Sequence, residues 1–142
     1  MDDIVELKFT LPMPYIGVTK KLMSMNLYRN MFYQALNNFK KKYAKQIADI
    51  IDRDKRILFD HIDRLEYQLN FVPTKKGNPK KVDLVNIGSM VDKVFSDVLV
   101  SLVMIDDDSI EFVDNVSFKA NCFAEETNIE VTVRGKVKEY KW

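Results

Sequence analysis

From Ile4 to Leu11 apolar and polar residues alternate, with Val5, Leu7, Phe9 and Leu11 on one side and Glu6, Lys8 and Thr10 on the other. A period of two is the signature of a strand with one buried face, and Pro12 and Pro14 end it. The alternation returns at Leu65–Phe71 and again at Asn128–Lys136, where Ile129, Val131 and Val133 are the inward set. Between these, Ser109–Lys119 carries Ile110, Phe112, Val116 and Phe118, and Glu125–Asn128 reads as the turn of a hairpin joining the last two strands.

Two stretches switch to helical spacing. Tyr28, Phe32, Leu36, Phe39, Tyr43, Ile47 and Ile50 form one face of a long helix reaching about Ile51, which Ser24 or Asn26 can cap. From Ile87 the positions Met90, Val91, Val94, Phe95, Val98, Leu99 and Leu102 repeat the pattern. Four strands and two main helices predict an α+β domain: a small mixed or antiparallel sheet with both helices mostly on one face.

Bulk composition changes this picture little. The 142 residues fit one domain, 1–142, with 46% apolar and 30% charged positions. A net charge of +1 means that any electrostatic footprint for nucleic acid must be local. Cys122 is the only cysteine, which fits a reducing cytoplasm, and it is expected to be a small core residue. His61, among Asp60, Asp63 and Arg64 and without a Ser or Cys partner motif, is expected at the surface ahead of its strand. No leader and no apolar run of membrane-spanning length is apparent, so no membrane partner is expected. The end, Lys138–Trp142, reads as a frayed tail or as a subunit contact through its two aromatics.

The candidate chemistry gathers around the second helix. Asp83 lies just before it, and Asp106, Asp107 and Asp108 lie just after. A helix of about 16 residues holds its ends roughly 24 Å apart. These carboxylates therefore meet only if the following strand folds back beside the strand that ends before Asp83. Ahead of Asp83 comes Pro73–Lys81, a turn-forming loop around Gly77-Asn78-Pro79 with Lys75, Lys76, Lys80 and Lys81. Acids beside a basic loop suit a divalent cation next to a phosphate. On the long helix Arg29, Lys41 and Lys45 are candidates for a ridge that contacts phosphate, against the plainer reading of a solvated face.

Asp83-Leu84-Val85-Asn86, then Lys93, Phe95 and Asp97, then Asp107-Asp108-Ser109, together with Thr10-Leu11-Pro12-Met13-Pro14 and Asn26, resemble the signature of the RusA family of Holliday junction resolvases. That pattern is D-L-D-N, a helix with a lysine and a later F-x-D or F-D, then D-D before a strand. Val85 stands where the family usually has its second aspartate, and the lysine comes about one helical turn later than in the best-known members. The resemblance implies an endodeoxyribonuclease that resolves four-way or related branched DNA by paired nicks. It implies Mg²⁺, with Mn²⁺ able to substitute, held by Asp83, Asp107 and Asp108. Lys93 is then expected at the scissile phosphate, and Asn86 and Asp97 are possible further ligands, Asp97 in place of the oxygen that Val85 lacks. It further implies a homodimer, matched to a two-fold junction, in a bacterial cytoplasm and encoded by a phage or prophage. The alternative is a non-catalytic branched-DNA-binding protein with a degenerate metal site; an interaction module whose acids only form a turn is a third reading.

Overall fold

The computed structural model describes residues 4–16, 21–53, 56–74, 76–77, 83–107 and 111–138. In chain order these form β1 (Ile4–Leu11), β2 (Tyr15–Ile16), β3 (Lys21–Leu22), α1 (Met25–Asn30), α2 (Tyr33–Arg53), β4 (Phe59–Asn70), α3 (Leu84–Ser101), β5 (Val116–Asn121) and β6 (Asn128–Val137). The fold is α+β. One mixed four-stranded sheet runs in the order β1-β6-β4-β5, and β2 and β3 form a small separate hairpin. The two long helices share one core with the sheet's inner face, where Phe9, Leu11, Leu65, Tyr67, Leu69, Ile129, Val131 and Val133 are buried beside Tyr43, Ile47, Val91 and Phe95. The other face is the polar side of the alternation, with Lys8, Glu66 and Thr132 in register.

The last two strands do not form the expected hairpin. β5 pairs with β4 in parallel, from Leu65 opposite Val116 to Asn70 opposite Asn121. β6 instead lies between β1 and β4, antiparallel to both. Parallel neighbours need a crossover, and α3 supplies it. Gly88 lets α3 lie close on β5, since a Cβ there would sit 2.5 Å from the Phe118 ring.

β4 is also longer than its alternation suggests, starting at Phe59 and not at Leu65. Two register shifts, between Phe59 and His61 and between Ile62 and Arg64, break the period of two in this half. His61 is thus inside the strand, half-buried, with Nε2 3.0 Å from Asp114 Oδ1. Gly135 faces the bulge, and a side chain there would collide with the His61 carbonyl. Cys122 lies half-buried in the turn after β5, outside the core cluster.

The first long helix is two helices. Ser24 caps α1, its Oγ accepting from the Leu27 N–H at 3.2 Å. Met31 then turns extended (φ −77°, ψ 151°), and α2 starts afresh at Tyr33. Phe32, expected on the buried face, is 88% exposed, and Tyr33 is 77% exposed. No helix among the described residues is long and apolar enough to cross a membrane.

Candidate nucleic-acid and metal site

Strand directions define two ends of the molecule. β4 runs towards Asn70, and the chain then reaches Asp83 and enters α3. α3 returns antiparallel to β4, so its C-terminal end lies beside the start of β4, where Phe59 N–H donates to the Met104 carbonyl at 2.7 Å. Eighteen unbroken helical residues separate these ends by about 27 Å.

At the first end Asp83 caps α3. Its Oδ1 accepts from the Asn86 N–H at 3.1 Å, and its negative charge lies at the positive end of the helix dipole. The cap uses one carboxylate oxygen, and a carboxylate has two. Asn86 in turn accepts, through Oδ1, from the Asn26 N–H at 3.0 Å, which ties α1 to α3 across 60 residues of sequence. Its amide oxygen thus has a structural role. Met25, Asn26, Arg29, Asp83, Val85, Asn86 and Ser89 line an open cleft of about 380 Å³. Val85 is 61% exposed there. Arg29, Asp83 and Asn86, three of the expected site residues, therefore meet, and Asn26 joins them.

The other acids do not join this cleft. The strand after Asp108 does lie beside β4, but parallel to it, so the chain leaves α3 at the far end before β5 begins. Asp106 is held there by Lys138 Nζ at 3.4 Å, and Asp107 is its exposed neighbour. The expectation that Asp83 and Asp107 face one ion within a chain is corrected by this topology. Asp108, with Lys75, Lys80 and Lys81, lies outside the described residues.

Helix geometry corrects two further roles. Lys93 is ten residues and about 15 Å along the axis from Asp83, so the two do not address one phosphate. Asp97 is about 18 Å along the axis from Val85 and cannot replace a ligand there. Asn86, Lys93 and Asp97 do share one flank of α3, and Lys93 and Asp97 are exposed without an ion pair to each other. Asp92 differs from its neighbour Lys93. It accepts from the Tyr67 hydroxyl at 2.7 Å and from Ser96 Oγ at 3.1 Å. Burial first, and then the Asp92 charge, raise the Tyr67 pKa well above the usual phenol range, so the hydroxyl stays a donor. This pair clamps the middle of α3 to β4.

The expected phosphate-contacting cations among the described residues lie at the Asp83 end or flank it. Lys76 is exposed in the turn closed by Gly77 N–H to the Thr74 carbonyl, 2.8 Å, in the connection from β4 to α3. Lys41 and Lys45 are exposed on α2, next to Tyr43, whose hydroxyl donates to the Pro12 carbonyl at 2.9 Å just past the end of β1. Lys40 sits over the Tyr28 ring, 5.9 Å from its centroid.

One signal was present in the sequence and is absent from the expectations above. From Leu7 to Ala48 there is no Asp or Glu, while eight residues, seven lysines and Arg29, are cationic. The remaining 100 residues hold the other 14 cations against all 21 acids. A net charge near zero therefore conceals a strongly basic segment, and β2, β3, α1 and the start of α2 are built from it.

No protein-family model matches the chain, and no curated protein matches it significantly. Among the described residues no group of three or more His, Cys, Asp or Glu side chains is arranged to hold a metal ion.

Proposed function

We propose that this chain acts on branched DNA as a Mg²⁺-dependent endodeoxyribonuclease, and that it does so as a homodimer. The observation that carries this reading is the cleft at the start of α3. It joins Asp83 and Asn86 to Asn26, two separated parts of the RusA-like pattern, with Arg29 beside them at the end of the molecule built from the basic segment. Arg29 offers a planar donor set for a phosphate, and the neighbouring lysines offer charge without base reading.

Asp83 is a hard oxygen donor of the kind Mg²⁺ prefers, and such sites often use only one or two carboxylates beside waters and substrate phosphate. An ion held there would supply positive charge for the phosphate and acidity for water. With Asp107 beyond the other end of α3, it would complete the site from a second copy, together with Asp108, which follows it in the sequence. Two α3 helices packed antiparallel with Asp83 of one copy near Asp107 of the other would also bring Lys93 opposite Asp97, since both pairs are centred on Phe95. The resulting two-fold gives two sites for two cuts.

Mixed dimers test this directly. Asp83→Asn and Asp107→Asn proteins should each fail to nick a labelled four-way junction in Mg²⁺. Mixed and allowed to exchange subunits, they should regain nicking of one strand, because one site of the mixed dimer is then intact. If both variants are inactive and the mixture stays inactive while mixed dimers form, the acids belong to one chain or to no metal site.

A second reading has its own support. Asp83 is the only carboxylate in the cleft among the described residues, and exposed Val85 occupies a position facing it. A non-catalytic branched-DNA-binding protein fits that arrangement, and wild-type protein that binds junctions tightly without cutting them in Mg²⁺ or Mn²⁺ would establish it.

A further inference from the structure

Phe32 and Tyr33 are adjacent aromatics, 88% and 77% exposed, at the start of α2. The Phe32 carbonyl accepts the Leu36 N–H at 2.9 Å, so Phe32 occupies the N-cap position of that helix. Stability alone favours Ser, Thr, Asp or Asn there, because a short polar side chain satisfies an orphan N–H and a phenyl ring cannot. The fold thus bears a cost for exposing the ring, and the first residues of α2, 33–35, are all exposed with it. This end of α2 continues directly from α1, whose Arg29 lines the Asp83 cleft three residues before Phe32.

We propose that Phe32 and Tyr33 form a stacking platform for unstacked bases at the branch point of the DNA. The inference rests on the branched-DNA reading above and names the feature of the substrate that this surface takes. Nucleic acid is favoured over a second copy of the chain by charge. The rings lie in the segment that carries eight cations and no acid. Two such segments face to face would bring like charges together with no acid of their own to neutralise them, whereas a phosphate backbone supplies the opposite sign. Aromatic faces accept any base, so the contact selects for unstacked bases and not for sequence. A continuous duplex stacks every base between neighbours, whereas a branch point held open interrupts the stack and exposes base faces.

The test uses the full chain, a four-way junction with 2-aminopurine at the branch point and a duplex of equal length. Wild-type protein should bind the junction more tightly than the duplex and change the 2-aminopurine fluorescence. The double variant Phe32→Ala/Tyr33→Ala should lose junction affinity at least about fivefold per ring removed and lose the fluorescence change. Its duplex affinity and salt slope should stay as in wild type, and Phe32→Trp should retain junction binding. A double variant with wild-type junction affinity and signal overturns the platform and leaves the branched-DNA function standing. Wild-type protein with no preference for the junction overturns both. A double variant that sediments as a monomer where wild type is a dimer makes the rings a subunit contact, and likewise overturns the platform.

Discussion

At its N-terminal end α3 is capped by an aspartate and packs on α1, part of a 42-residue stretch without a single acid. At its C-terminal end it closes on a valine with positive φ and runs into three successive aspartates. The first end is satisfied side chain to backbone, by Asp83 to Asn86 and Asn86 to Asn26. The second is satisfied backbone to backbone, with Met104 N–H donating to the Leu99 carbonyl at 2.9 Å and Val103 N–H to Val100 at 3.0 Å. The difference teaches what each end can offer a ligand. The polar side chains of the first end already converge on an open cleft flanked by cations, whereas at the second Asp106 is held by Lys138 Nζ and Asp107 lies exposed beside it. On the proposed reading the first end receives the phosphate, and the second contributes its acids to the site of another copy.

The largest expected effect breaks the comparison at its source. Asp83→Asn keeps a side chain that can cap the helix but removes the charge. It should lower junction cleavage by about a hundredfold or more, since even outer partners of metal ligands cost tenfold to a hundredfold. Junction binding should be unchanged or tighter, because a negative charge facing phosphate is gone. Single-turnover cleavage and a binding titration, run on the same preparation, check both halves. Asp97→Asn, which geometry removes from the site, should cut within about twofold of wild type, and a loss equal to that of Asp83→Asn would contradict the axial distances above.

Next in size is the charge asymmetry. Replacing Arg29, Lys41, Lys45 and Lys76 by Gln should weaken binding to all branched DNAs alike, and each lost phosphate contact should lower the slope of log K against log salt by roughly 0.9. Replacing Lys136 and Lys138, towards the opposite end, should leave that slope within error of wild type. Equal effects from the two sets would mean that the basic segment does not orient the DNA.

How much of this was legible in the sequence depends on whether local or distant neighbours decide each feature. β1 runs from Ile4 to Leu11 as its alternation predicts, and Ser24 caps α1 as its position allows, because both rest on local physics. The helical pattern from Ile87 to Leu99 likewise lies within α3, and Leu102, its last expected position, is the C-cap. The partner of β5 was not legible. Short turns favour hairpins, but β6 lies between β1 and β4, a pairing between elements distant in sequence that tertiary packing and not the local turn sets. The break at Met31 hid behind an unbroken helical spacing that counted Phe32 as buried. For the site, the proximity of Asn26 to Asn86 needed coordinates. The acid-free run from Leu7 to Ala48 did not: it is missed by net charge and found by asking where the acids are absent.

A smaller effect concerns the clamp that fixes both ends relative to the sheet. Tyr67→Phe removes the donor to Asp92 and leaves a part-buried carboxylate short of one hydrogen bond. Hydrogen bonds to charged groups contribute about 1.5–3 kcal/mol, so chemical denaturation should show a loss in that range with an unchanged m-value. Adding Asp92→Asn to Tyr67→Phe should cost less than the sum of the two single changes, because they share one interaction. Simple additivity would mean that Asp92 is held mainly by Ser96 and that the clamp does not position α3.

The smallest effect sharpens the C-terminal side of the comparison. Val103 has φ 58°, the left-handed conformation that closes α3, and it is the only non-glycine residue with positive φ among the described residues. The two backbone bonds from Val103 and Met104 form a Schellman arrangement, in which this position is usually glycine. A β-branched residue there is strained, by about 1–2 kcal/mol in the left-handed region. Its side chain is 62% exposed, so truncation removes little buried surface. Glycine also gains entropy in the unfolded chain, which offsets part of the relief. Val103→Gly should therefore stabilise the protein by about 1 kcal/mol, a rise in Tm of about 3 °C for a domain of this size. Val103→Ala keeps a Cβ in the same conformation and should gain less. Calorimetry on the three proteins decides the matter, and a Val103→Gly protein that is less stable than wild type would show that this exposed valine packs against something at the acidic end, the second copy included.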